Sequence, residues 1–280
     1  MGQSNGCSQG HANGNGVGAN LAYTKFLFVM ARAEDDAHGS RLRTAGGNIA
    51  RGFFNDFDLD DSRETQAQPF ETIQFFVRDG ELPQPAPTCV GPCINKARHL
   101  VQVSSKYRPR LVEIEEELRR RIGDAADVLA LDGAVRVPRY SSPEMAYYSN
   151  KGAPPRRSGR VSRNAFIVPI RKTAEWWEKS PLERHAYFYP HVDQASGCPV
   201  KGHAVAAEQG IPSLFRRVYH NPDGYQRQDE FDFVTYFECE DDALAVFDGV
   251  LESLRDVEQN PEWQFVKEGP IWRGKRVLRW

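Results

Sequence analysis

The alternation of apolar and polar positions is easiest to read in the C-terminal part of the chain. Phe166-Ile-Val-Pro-Ile170 is an apolar run of strand length. Ala174 to Tyr187 reads as helical. Leu214 to His220 and Phe231 to Glu238 are rich in aromatic and β-branched residues, which suit strands, and Asn221-Pro-Asp-Gly224 between them has the composition of a turn. From Asp241 to Gln259, Leu244, Phe247, Leu251, Leu254 and Glu258 recur at steps of three and four. That spacing forms one stripe of a helix, and the acids of its first turn meet the positive end of the helix dipole. Trp263 to Lys267 predicts a closing strand.

The N-terminal part repeats the order. Tyr23 to Ala31 predicts a strand, Gly46 to Phe57 a short helix, and Glu71 to Arg78 and His99 to Ser104 two further strands. Arg108 to Ile122 predicts a helix with Leu111, Ile114 and Leu118 inward, and Asp127 to Val137 a last strand. Each half therefore reads β-α-β-β-α-β, the ferredoxin-like unit. Sequence identity between the halves is negligible, so the repeat rests on element order. The expected fold class is α+β, with two tandem units that pack or join into a barrel-like core. Residues 1–19 are rich in Gly, Asn and Ser and predict a disordered tail. The first unit is expected over 20–148 and the second over 164–280. Between them, 149–163 holds Gly152, Pro154, Pro155 and five basic residues, and reads as a linker loop.

Composition narrows the function classes. The 280 residues are 40% hydrophobic and 26% charged, enough for a real core, and the formal net charge is −2. No basic excess points to nucleic acid. The most apolar stretch, Leu21 to Ala31, contains Lys25 and is far shorter than the ~20 residues a membrane span needs. A cytoplasmic location is the default expectation. Five cysteines, an odd number at low density, do not suggest a disulfide framework. Cys89 and Cys93 have a C-x3-C spacing but no second Cys/His pair at a suitable distance, so a loop is expected there.

The chemistry concentrates between Ile170 and Glu238. The string contains Arg171-Lys172-Thr173, then Trp176-Trp177, Glu183-Arg184, Gly202-His203, and Arg216-Arg217-Val-Tyr219-His220, and then Asp232-Phe-Val-Thr-Tyr-Phe-Glu238. This combination resembles the C-terminal domain of the chlorite dismutases over roughly residues 165 to 275. Those proteins share an Arg-Lys-Ser/Thr ahead of a Trp-Trp pair, a Glu-Arg, an axial His, and an Arg thirteen residues later that leads into a Tyr-His strand. The N-terminal half matches the family only in element order.

The resemblance implies a haem b oxidoreductase that decomposes chlorite to chloride and dioxygen. His203, thirteen residues before Arg216, is the expected axial ligand to iron. His191 is the rival, because it lies seven residues after Arg184, which is also a family spacing. The two rulers disagree because extra residues surround Val192 to Gly202. The ruler anchored on the strand is preferred, since loops tolerate insertions and strand registers do not. Arg216 is the expected distal cation, able to hold an oxyanion in fixed geometry. Arg217, its neighbour on the strand, points to the other face.

On the proximal side the resemblance implies a lysine, matched by Lys172, and a carboxylate near Val257-Glu-Gln-Asn260, for which Glu258 is the candidate. Ungapped counting puts Gln259 at that place instead, and a neutral partner would weaken the histidine's push on iron. Trp176 is a candidate for lining the haem. Trp177, Tyr219 and Tyr236 are more simply core. A peroxidase-like or oxidative-stress member of the superfamily with little chlorite activity is the alternative, as is a haem-free ferredoxin-like binding module. Arg216 argues against the decarboxylase branch, which typically lacks it. The implied partners are a small oxyanion or peroxide substrate and further copies of the chain, as a pentamer or dimer, with no nucleic acid or membrane.

Overall fold

The computed structural model describes residues 20–32, 36–53, 72–80, 91–136 and 162–277. The expected tail, nearly all of the expected linker, and Cys89 lie outside the described residues. The first half contains β1 (Asn20–Ala31), α1 (Asp36–Phe53), β2 (Thr72–Arg78), β3 (His99–Ser105), α2 (Arg108–Ile122) and β4 (Ala126–Arg136). The second begins with β5 (Asn164–Lys172), α3 (Ala174–Glu178), α4 (Pro181–Ala186) and the two-residue strands β6 (His191–Val192) and β7 (Pro199–Val200). It continues with α5 (Gly202–Ala207), β8 (Phe215–His220), β9 (Phe233–Cys239), α6 (Leu244–Arg255), β10 (Val266–Glu268) and β11 (Trp272–Val277).

The pairings are antiparallel, and they close. The first half has the order β2-β3-β1-β4 and the second β11-β5-β9-β8. The halves join where β11 meets β2, from Gly274 opposite Arg78 to Val277 opposite Phe75, and where β4 meets β8, Ala134 opposite His220. Eight strands thus form one barrel, and β10 adds beside the end of β5. Closure satisfies the edges that two separate sheets would expose. Gly133 of β4 stands at one join. A Cβ there would come within 2.6 Å of the Tyr219 Cβ, so glycine lets the two strands approach.

Strand periodicity sorts the side chains into three cores. Phe26, Phe28, Phe76, Leu100, Tyr219, Tyr236 and Trp272 fill the barrel. Outside it, Leu27, Val29, Phe75, Val101 and Val103 pack against Leu42 and Ile49 of α1 and Leu111, Ile114 and Leu118 of α2. The second half repeats this with Phe166, Val168 and Phe237 under Ala206 and Ala207 of α5 and Phe247, Val250 and Leu251 of α6.

Four elements differ from their sequence reading. α1 begins ten residues before the expected Gly46, because Leu42, Ala45 and Ile49 keep the helical spacing across a glycine pair. Ala174 to Tyr187 is two helices, because Pro181 starts a new one, capped by Ser180 and Glu183 in a reciprocal box. The helix expected through Gln259 ends at Arg255, and Pro261 opens a 3-10 turn to Phe265. The segment 263–267, expected as a strand, is the end of that turn and the start of β10, while the closing strand of the unit is β11.

Candidate active site

His203 is the second residue of α5, and local backbone needs explain why it sits there. Gly202 has φ +71°, and a Cβ on it would lie 2.5 Å from the Tyr189 carbonyl oxygen, so only glycine permits the turn. The His203 amide donates to the Tyr187 carbonyl at 3.1 Å, and those of Lys201 and Gly202 donate to the Gln259 carbonyl at 2.9 and 3.1 Å. Ala206 and Ala207, on the same short helix, pack on the outer face of the barrel. The His203 ring lies nearly parallel to Phe188, with centroids 5.7 Å apart.

The carboxylate beside His203 is Glu262. Its Oε2 is 3.1 Å from His203 Nδ1, off the axis of an ideal N–H bond, and its Oε1 accepts from Lys172 Nζ at 2.5 Å. Lys172 in turn lies over the Trp176 ring, 4.2 Å from its centroid. Trp176 is buried against Phe265 and Tyr187. Burial alone would push the Glu262 carboxyl up, but Lys172 and then His203 hold it well below the usual carboxylate range. The result is an anion fixed between a buried ammonium and an imidazole.

Of the sequence-derived residues, His203, Lys172 and Trp176 come together. Glu258 does not join them: it is exposed, its amide held by Asp256 Oδ1 at 3.1 Å in the loop after α6. Gln259 contributes its backbone carbonyl, as above, rather than its side chain. Glu262 escapes the sequence reading because the helical stripe extends through Gln259 and the residue count is anchored on it. Pro261 is the available signal, since proline favours the first turn of a new helix and so shifts the register of the next residues.

Arg216 stands on β8 opposite Phe237 of β9. Phe237 belongs to the core under α5 and α6, so Arg216 lies on the face of the barrel that carries the His203 helix. On this face Arg216, Val218 and Ile170 are only half-buried. Arg217 is on the opposite face, beside the Phe215 ring. His191 sits in the β6–β7 hairpin made by the extra residues. Its Nδ1 is 2.8 Å from the Tyr189 carbonyl and its ring meets the edge of Tyr187. Tyr219 and Tyr236 are core residues of the barrel, as their patterns suggest.

Asp232 ties this region together. Its Oδ2 accepts from the Lys172 amide at 2.7 Å and from Trp177 Nε1 at 3.2 Å, and its Oδ1 accepts from the Gln226 amide at 2.7 Å. Cys93, the described member of the C-x3-C pair, is exposed ahead of a short 3-10 turn. Among the described residues no three or more His, Cys, Asp or Glu side chains gather as a metal-ion site. A lone imidazole backed by a carboxylate suits a metal that brings its other ligands with it, as iron does in a macrocycle. The residues present therefore fit a haem. Among the described residues no helix is long and apolar enough to cross a membrane.

No protein-family profile matches the chain. A chlorite dismutase of Ideonella dechloratans is 28% identical over 142 residues, 50% of this chain, and the match takes in less than half of that relative, 44%. Solved chlorite dismutase structures from Candidatus Nitrospira defluvii superpose over nearly the whole chain. A doubly substituted form has a TM-score of 0.62 at 16% identity, and a complex with imidazole 0.61 at 17%, each covering 92% of both chains. Over half its length the chain thus resembles a chlorite dismutase in sequence, and over nearly all of it the chain has the chlorite dismutase fold.

Proposed function

We propose that the chain is a haem b oxidoreductase that converts chlorite to chloride and dioxygen. The observation that carries this reading is the Lys172–Glu262–His203 series beneath a barrel face that also bears Arg216. With Nδ1 turned toward Glu262, Nε2 of His203 is the ring nitrogen left to bind iron. A haem held there would supply a redox-active iron for the net conversion of one chlorite into one chloride and one dioxygen. Glu262 orients the imidazole and strengthens it as a donor, and Lys172 keeps Glu262 ionised. An anionic partner, Glu262 in place of a neutral Gln259, supports the chlorite reading. Trp176 walls the proximal side and supports Lys172 on its ring face. Arg216, permanently charged, holds the oxyanion through paired N–H donors. The reading extends to a cytoplasmic homo-oligomer of five or two subunits.

The test is the visible spectrum of the purified chain after haem addition, with an oxygen electrode during chlorite addition. A Soret band with oxygen release is expected. His203→Ala is expected to lose or shift the band, while His191→Ala leaves it unchanged. Arg216→Ala keeps the haem and loses most of the oxygen release. A Soret band without oxygen would turn the reading to the peroxidase-like alternative. No band at all would turn it to the haem-free binding module.

A further inference from the structure

Next to the site, two oxidisable rings are stacked on each other, and each has a base at its acidic hydrogen. Trp177 and Tyr225 lie with centroids 4.3 Å apart and planes 14° from parallel. Phe233 flanks both, at 6.0 and 5.4 Å. Trp177 Nε1 donates to Asp232 Oδ2. The Tyr225 hydroxyl lies 2.9 Å from Nδ1 of His220, which is 3% exposed. Asp232 also accepts from the amide of Gln226, the residue after Tyr225, and from the amide of Lys172. One carboxylate thus bridges the stack to the strand end that carries Lys172, the first member of the Lys172–Glu262–His203 series.

We propose that Tyr225, with His220 as its proton acceptor and Trp177 stacked on its face, is a one-electron donor that drains oxidising equivalents from the site. A phenol that loses an electron becomes strongly acidic, so its oxidation is easiest where a base already waits at hydrogen-bond distance. His220 is such a base, fixed by burial against Phe233. The electron leaves the Tyr225 ring by way of Trp177. The Tyr225 O–H bond breaks and its proton passes to Nδ1 of His220. The products are a neutral phenoxyl radical and an imidazolium, and the oxidant is reduced by one electron. The co-reactant is a peroxide, which delivers two oxidising equivalents to the site; Tyr225 takes up one of them and the other stays at the site. The proposal rests on the haem reading for the source of those equivalents, but not for the donor pair itself.

The experiment first uses the full chain without cofactor, irradiated with ruthenium tris-bipyridine and persulfate as a one-electron oxidant and frozen for EPR. A phenoxyl signal is expected. Because the chain has ten tyrosines, its assignment comes from Tyr225→Phe, which keeps the stacked ring and is expected to lose most of the signal. His220→Gln is expected to slow radical formation and remove its solvent deuterium effect. An undiminished phenoxyl yield in Tyr225→Phe would overturn the proposal. The haem-loaded chain treated with hydrogen peroxide is expected to show the same dependence on Tyr225. A Tyr225-dependent photochemical signal in a chain that takes up no haem would uphold the donor pair while removing the haem reading.

Discussion

Two residues show how strongly individual charges depend on their surroundings. Glu262 and Lys172 are both nearly out of solvent, with side chains 11% and 7% exposed. Breaking such a pair leaves a buried charge without a counterion. Glu262→Ala is therefore expected to cost about 3 kcal/mol in urea unfolding, and the double replacement Lys172→Met with Glu262→Gln to recover part of that loss. His99, at the start of β3, responds to pH instead. Burial, then Arg98, Arg43 and Arg78, lowers it from 6.5 to about 4. The folded chain thus holds His99 neutral between those values while the unfolded chain protonates it. Stability is full above about pH 6.5, falls as the pH drops through that window, and levels off below about 4. The contribution is about 3 kcal/mol, and His99→Gln is expected to flatten that part of the stability curve, measured by urea unfolding across the same window. Neither effect is legible in the sequence, where Glu262 comes after a proline in an unremarkable loop and His99 has no distinctive neighbours. Glu262 meets Lys172 and His203 from distant segments, and His99 owes its shift first to burial in the fold and then to Arg98 beside it, with Arg43 and Arg78 brought from elsewhere.

At the scale of elements, the sequence is informative wherever a single face is buried. α2 matches its periodicity to the residue, because Leu111, Ile114, Leu118 and Ile122 form one uninterrupted stripe. It is weaker where caps and prolines decide, as in the division of 174–187 and the early end of α6. Inside the barrel, elements are held by groups that composition does not single out. Arg276 of β11 lies between strands, with Nη2 2.6 Å from Glu238 Oε1 of β9, Nη1 on Gln74 of β2, and its guanidinium over the Phe76 ring. Glu238 is fully buried. Arg276→Met is expected to cost about 3–5 kcal/mol by taking the cation away from the buried Glu238 carboxylate, measured as a lowered denaturation midpoint. Strand alternation does predict that Tyr236 and Glu238 share a face; it says nothing of the arginine that arrives from β11.

For the whole molecule, the decisive feature is closure of two similar halves into one barrel. Gly133→Val would force Tyr219 away at the β4–β8 join and is expected to cost about 1–3 kcal/mol, seen as a lower melting temperature, with retained far-ultraviolet circular dichroism. The order of elements and the side of β8 on which Arg216 lies come from periodicity along the chain. Local spacing is sufficient for these, because a strand or helix sorts its own side chains by geometry alone. Which strands pair across the halves, and which carboxylate reaches His203, required the folded chain. Those contacts join residues tens of positions apart through loops whose lengths carry no periodic signal, so only tertiary packing could choose among them.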